Sequence, residues 1–122
     1  MNGEVSFFFE KLDVWNRSID LSALIYKITK SFPDSEKFGI TNQLRRASNS
    51  IGANIAEGSG RKSSVEKARF FEIAFSSLLE LIHFLRLSVK LDFIKDEDLS
   101  EVHSLISEIS NKLNALHKQV KQ

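Results

Sequence analysis

Apolar residues recur at helical spacing along most of the chain, and this repetition limits the possible folds more than any other feature. The clearest stripe consists of Ile40, Leu44, Ala47, Ile51 and Ile55, at steps of four, three, four and four residues. Such steps place the side chains on one face of an α-helix. The sequence has a single proline and no run of alternating polar and apolar residues that would indicate a strand. The pattern therefore predicts an all-α chain.

Four segments carry this periodicity, and the connectors between them are short. The predicted helices cover, in order, about residues 12–31, 41–57, 64–91 and 96–120. Helices joined by short connectors run antiparallel to their neighbours. We therefore predict an antiparallel up-down-up-down four-helix bundle, formed by residues 1–122 as a single domain. Phe38, in the connector before the second helix, is expected to pack against the bundle.

Local signals mark the ends of the second and third predicted helices. Thr41 is the expected N-cap of the second helix, because its hydroxyl can accept a hydrogen bond from an unpaired amide. Gly58 is expected to end that helix in the left-handed conformation that glycine adopts most readily. Ser63, followed three residues later by Glu66, has the pattern of a capping box. The stretch NIAEGSGRKSS at residues 54–64 is therefore interpreted as a corner between two helices.

The third predicted helix is more apolar than one buried face requires. Its apolar residues, which cover well over half of the circumference, are Phe70, Phe71, Phe75, Leu78, Leu79, Leu81, Ile82, Phe84, Leu85, Leu87 and Val89. A helix that is apolar nearly all round is buried nearly all round. A monomer of 122 residues has little room for such a helix, so we expect a homo-oligomer with an intersubunit contact on this helix.

Positive charge is concentrated around the predicted corner, although the net charge of the chain is only +1. Residues 42–69 contain six basic and two acidic residues, which suggests an anionic partner. The candidate nucleic-acid contacts are Arg45, Arg46, Arg61 and Lys62. Two other interpretations remain open for these cations: a solvated face, or ion pairs across a protein interface.

A second group of residues near the corner is expected to have a structural role. Asn54 and Glu57 lie at the end of the second predicted helix, and Arg61 follows just beyond it. Together with Gly58, the first two residues are expected to form a local cluster that holds the corner in place through hydrogen bonds.

The sequence offers little for catalysis or for a cofactor. It contains no cysteine, which excludes thiolate metal sites and a cysteine nucleophile. Gly52 and Gly58 lack the spacing of a phosphate-binding loop, and no strand precedes them. Glu80 and His83 match half of a di-iron motif, but the second copy that such bundles need is absent. No enzymatic activity, cofactor, metal site or small-molecule substrate is expected. An enzyme with a metal site at Glu80 and His83 ranks third among the hypotheses, after nucleic-acid binding and a protein scaffold.

The N-terminus also lacks the features of a secretion signal. Acidic residues stand where a signal peptide carries basic ones, and the apolar run FFF is short. The longer apolar stretches are interrupted by Glu80, His83 and Arg86, so no membrane span is expected. A cytoplasmic protein is the expectation.

Three stretches resemble a known family. These are VWNRSIDLSALIYKITKSFP, EKFGITNQLRRASNSIGANIAEGSGRKS and FFEIAFSSLLELIHFL. They are similar to the bacterial four-helix bundle family that includes proteins encoded in 23S ribosomal RNA intervening sequences. A more distant similarity is to the accessory variability determinant of diversity-generating retroelements. Gly52 stands where the family often has proline, and Ser76 where it often has glycine.

The resemblance implies properties beyond the fold. It implies a homopentameric barrel, an association with RNA or with a nucleic-acid-processing partner through basic surface, and no enzymatic activity. Together with the charge pattern, it makes non-catalytic binding of structured RNA or DNA through the corner the leading hypothesis. The alternative is a protein–protein interaction scaffold that does not contact nucleic acid.

Overall fold

The computed structural model describes residues 6–121, apart from the side chain of Lys121, and this part of the chain is helical without any strand. Its four α-helices are α1 (Asp13–Thr29), α2 (Ile40–Ser59), α3 (Ser64–Lys90) and α4 (Ser100–Lys121). Short 3₁₀ turns at Phe8–Lys11, Asp34–Glu36 and Asp96–Leu99 lie before α1, α2 and α4. The prediction of an all-α fold with four helices is confirmed.

The helices pack in a cycle, in which α1 contacts α2 and α4, and α3 contacts the same two helices. Contacts between α2 and α3 show their direction. Ser77 donates a hydrogen bond to Ser50 (2.8 Å), whereas Lys67, earlier on α3, donates to the Ser59 carbonyl later on α2 (3.0 Å). Residue numbers increase along α3 in the direction in which they decrease along α2, so the two helices run antiparallel. The up-down-up-down bundle is confirmed.

The core runs along the axis of this bundle and contains apolar residues from every helix. The predicted stripe of α2 is buried throughout. It meets fully buried side chains of the other helices: Leu21, Ile25, Phe71, Leu78, Leu81, Leu85, Ile109 and Leu113. Burying one such side chain contributes roughly 1.5–3 kcal/mol, so the core supplies most of the stabilisation. Within residues 6–121, no helix is long and apolar enough to cross a membrane.

The start of α2 differs from the prediction. Gly39, not Thr41, is the N-cap, and Thr41 lies inside the helix with 7% of its surface exposed. The Ile40 amide donates instead to a Glu36 carboxylate oxygen at 3.2 Å. Because the connector supplies an acceptor of its own, no cap hydroxyl is needed at Thr41. The expectation for Phe38 is also wrong, since it is 88% exposed.

Gly58 is needed for a different reason than the one predicted. Helix α2 continues through it to Ser59, and the C-cap is Gly60, with right-handed backbone angles (φ −90°). Gly58 is buried, and a Cβ at this position would lie 2.6 Å from Cε1 of Phe71. The prediction of a left-handed cap is therefore wrong. Glycine instead allows α2 to approach α3 closely.

Gly52 allows a similar approach between α2 and α1. A Cβ there would lie 2.6 Å from the Ser18 hydroxyl oxygen. That hydroxyl is held in place because it donates a hydrogen bond to the Trp15 carbonyl at 2.6 Å. The two glycines thus bring α2 close to both neighbouring helices.

We predict that Gly58→Ala lowers the free energy of unfolding by about 1–3 kcal/mol, the usual cost of overpacking a core. Gly60→Ala is the matched control, because a Cβ there meets nothing nearer than 3.6 Å. This control should stay within about 0.5 kcal/mol of the wild type, as substitutions without a steric conflict do. Chemical denaturation of both variants makes the comparison. Equal stability of the two would contradict the close approach.

Candidate nucleic-acid interface

The corner between α2 and α3 is closed by two short-range hydrogen bonds. Ser63 is the N-cap of α3, and its hydroxyl accepts a hydrogen bond from the Glu66 amide at 3.1 Å, which is one of the two bonds of the predicted capping box. Lys67 reaches back across the corner to the Ser59 carbonyl. The intervening residues, including Arg61 and Lys62, are therefore held between two anchored helix ends.

Arg61 is oriented by two neighbours. Its guanidinium lies 3.4 Å from a Glu57 carboxylate oxygen and 4.6 Å from the centre of the Phe70 ring. Both partners of the ion pair are about half exposed, and a pair of this kind contributes little stability. The arginine remains at the surface, in a fixed orientation over an aromatic ring.

Asn54 makes its contacts away from the corner. Its side-chain amide donates to the carbonyl of Ser50 (2.8 Å) and to the hydroxyl of the same residue (3.0 Å). That hydroxyl also accepts the hydrogen bond from Ser77 of α3. Asn54 therefore belongs to a polar link between α2 and α3. Of the residues expected to hold the corner, Glu57 bonds to Arg61 and Gly58 packs on α3.

Lys62 and Arg46 are the two candidate cations without a polar partner. Both are exposed, and neither makes a hydrogen bond or ion pair with any residue in the range 6–121. Arg46 lies fifteen residues before Arg61, a distance of about 22 Å along a helix. The structure therefore places Arg61 and Lys62 together and Arg46 farther along the bundle.

Arg45 takes part in packing between α1 and α2. Its Nε donates to the Thr29 hydroxyl at 3.0 Å, and its guanidinium lies 4.6 Å from the centre of the Tyr26 ring. Asn49 donates to the hydroxyl of the same tyrosine at 2.9 Å. Arg45 is partly buried, and one of its five N–H donors is used within the bundle.

Two further cations, Lys67 and Arg69, extend the corner into α3 and are not among the predicted contacts. Residues 61–69 contain four basic residues (Arg61, Lys62, Lys67, Arg69) and one acidic residue (Glu66). We call this segment the basic corner. Arg69 is exposed and has no hydrogen-bond or ion-pair partner among the described residues. The capping box could have indicated these two cations, because it places them in the first two turns of α3.

The connector between α3 and α4, at the opposite end of the bundle, is acidic. Residues 92–101 contain five acidic residues and a single lysine, and they form the connector from α3 to α4 together with the first residues of α4. Cations of α1 and of the connector that follows it, among them Lys27 and Lys37, lie at the same end. The acidity is therefore local to the connector between α3 and α4.

An ion pair joins α1 to α4 near the end that carries the basic corner. The Lys112 ammonium lies 2.5 Å from a carboxylate oxygen of Asp13. This hydrogen bond holds the pKa of Asp13 below its ordinary value and raises the pKa of Lys112. Both groups therefore stay charged at neutral pH, and each neutralises the other.

Each histidine contacts a neighbouring side chain. His117 bonds to Glu72 (2.7 Å) and His103 to Asp96 (3.3 Å), whereas the ring of His83 packs edge-on against Phe84. No group of three potential metal ligands occurs among residues 6–121. The structure therefore adds no third ligand to Glu80 and His83 within that range.

These features define a class of protein: an all-α four-helix bundle with a basic corner at one end. Residues 10–115 match the family described as 23S rRNA-intervening sequence protein, which covers most of the chain. The protein belongs to this family, as the resemblance indicated. No curated protein sequence matches the chain.

A solved structure shares the fold. It is the crystal structure of a protein with unknown function from the S23 ribosomal protein family of Bacteroides thetaiotaomicron. The two chains superpose with a TM-score of 0.78 at 24% sequence identity. The match covers 86% of this chain and 95% of the other. At this identity the likeness supports the bundle itself, and the description of that protein names no activity.

We predict that the two adjacent arginines respond differently to removal. Arg45→Ala should lower the free energy of unfolding by about 1 kcal/mol, because it removes a hydrogen bond and an arginine–tyrosine contact. Arg46→Ala should change it by less than about 0.5 kcal/mol, as expected at an exposed position. Urea denaturation of the two variants compares them. A greater loss of stability for Arg46→Ala would contradict these placements.

Proposed function

We propose that this protein is a non-catalytic nucleic-acid-binding protein that contacts phosphates through the basic corner. The observation that carries the proposal is that residues 61–69 contain four basic residues and one acidic residue. Lys62 and Arg69 are exposed and have no hydrogen-bond or ion-pair partner within residues 6–121. Cations in this state release counterions from phosphates when they bind, and this release drives association.

The helix geometry supports the same site. Because α3 begins at Ser64, its positive dipole end lies within the basic corner. Ser63 satisfies one amide of the first turn, that of Glu66. A phosphate near Lys62 would therefore meet both a side-chain cation and the favourable end of a helix dipole.

The proposal includes assembly into a homo-oligomer. Several apolar side chains of α3 lie outside the core of the single chain, among them Leu79 (54% exposed), Ile73 and Leu87. Contact with a second copy would remove them from water. The family resemblance implies five copies, and a ring would repeat the basic corner. Several modest phosphate sites acting together bind a polyanion much more tightly than one site does.

We predict a native mass several times the 13.9 kDa of one chain, measured by light scattering. The double variant Ile73→Ser/Leu79→Ser should lower that mass at a given concentration, because it makes the exposed surface of α3 polar. Ile19→Ser is the control, since Ile19 is a similarly exposed apolar residue on α1. A wild-type mass of one chain would contradict the oligomer.

The same apolar residues favour a second candidate function, an interaction scaffold for another protein. Apolar contacts of this kind depend weakly on salt, whereas phosphate contacts weaken steeply as salt is added. Salt dependence therefore separates the two candidates.

For the proposed function, we expect a labelled RNA hairpin and a DNA duplex of matched length to bind in fluorescence anisotropy. Affinity should fall steeply between roughly 50 and 200 mM salt. Arg61→Ala/Lys62→Ala should weaken binding, and the slope of log K against log salt should become shallower by about one for each phosphate that the variant no longer binds.

The matched control is Lys90→Ala/Lys95→Ala, which removes two exposed lysines beside the acidic connector between α3 and α4. This control changes the net charge by the same amount but leaves the basic corner intact, so its salt slope should equal that of the wild type. Absence of binding to either nucleic acid at low salt, or equal effects of the two double variants, would contradict the proposal.

A further inference from the structure

A cavity of about 330 Å³ lies directly beside the basic corner. It is formed by the first turns of α3 and the last turns of α4, and its lining consists of Ser64, Val65, Ala68, Arg69, Glu72 and Val120. The lining begins two residues after Lys62. A group bound in the cavity would therefore lie next to a phosphate bound at the corner.

The lining combines apolar surface with polar groups of two kinds. Val65, Ala68 and Val120 supply the apolar part, and Val65 is largely exposed. Arg69 supplies hydrogen-bond donors and Glu72 supplies acceptors. An amphipathic ligand with apolar faces and a polar edge fits this combination of groups.

We propose that the cavity binds an unpaired nucleobase. The inference rests on the proposed function and specifies the kind of nucleic acid that the protein binds. It is one with unpaired bases next to the bound phosphates. Apolar side chains hold the faces of an extruded base, and polar groups meet its edge. A base in a duplex is stacked on its neighbours and paired along that edge, so it cannot enter.

Among the bases, guanine matches the polar groups best. An arginine pairs with the O6 and N7 acceptors of guanine, and Arg69 is exposed at the rim of the cavity. Glu72 also lies in the lining, where its carboxylate contacts His117 at 2.7 Å.

The experiment compares three labelled DNA ligands of equal length in fluorescence anisotropy. They are a single strand of thymines with one central guanine, the same strand with an abasic site in place of the guanine, and a duplex. We expect the strand with guanine to bind about tenfold more tightly than the abasic strand, within the range of discrimination that one bidentate contact to a base supplies. The duplex should bind no more tightly than the abasic strand.

Variants separate the base contact from the phosphate contacts. Val65→Ala should reduce the preference for guanine over the abasic site and leave the affinity for the abasic strand unchanged. Arg61→Ala/Lys62→Ala should weaken binding of both strands and preserve the preference. Ile19→Ala is the control, because this residue is an exposed apolar residue on α1, away from the cavity.

A titration with free guanosine monophosphate, followed by NMR of the valine methyl groups, tests the base site without the DNA ligands. It therefore distinguishes a failure of the base site from a failure of the proposed function. Equal affinity for the guanine and abasic strands would overturn the base site and leave phosphate binding in place. Shifts at Val65 without any binding of the DNA ligands would support base recognition and overturn the proposed function. If neither the DNA ligands nor the nucleotide binds, both are overturned.

Discussion

The contact between Gly58 of α2 and Phe71 of α3 is the constraint on which the rest of the structure depends. The space that a side chain would occupy on Gly58 is filled by the aromatic ring, so the two helices can pack closely. The connection between the two helices is short, and Ser63 is the N-cap immediately before α3. The basic residues 61–69 are consequently confined to a compact corner.

Much of the fold follows from sequence patterns that have one physical meaning. The stripe from Ile40 to Ile55 is buried as predicted, and Ser63 is the N-cap of α3. Gly58 was assigned the wrong role because a glycine near a helix end fits both a left-handed cap and a close helix contact. Only the partner helix, with Phe71, distinguishes the two. Thr41 was misassigned similarly, since Glu36 supplies a competing acceptor.

The candidate site was harder to predict because it depends on which helix face each residue occupies. Arg45 and Arg46 are neighbours in sequence, yet one packs on Tyr26 and the other is exposed. Their different environments depend on the position of α1. The cavity beside the corner combines Val65 with Val120, which are far apart in sequence. Charge counting therefore identified the region, and tertiary packing determined its shape.

The basic corner and the adjoining cavity are the basis of the proposed function, in which a nucleic acid with free bases binds at one end of the bundle. Photochemical cross-linking of the protein to a single strand containing 6-thioguanine, followed by peptide mass spectrometry, tests this claim most directly. Cross-linked peptides from residues 61–72 are the predicted result. Cross-links confined to the acidic connector at residues 92–101, or none under binding conditions at low salt, would contradict it.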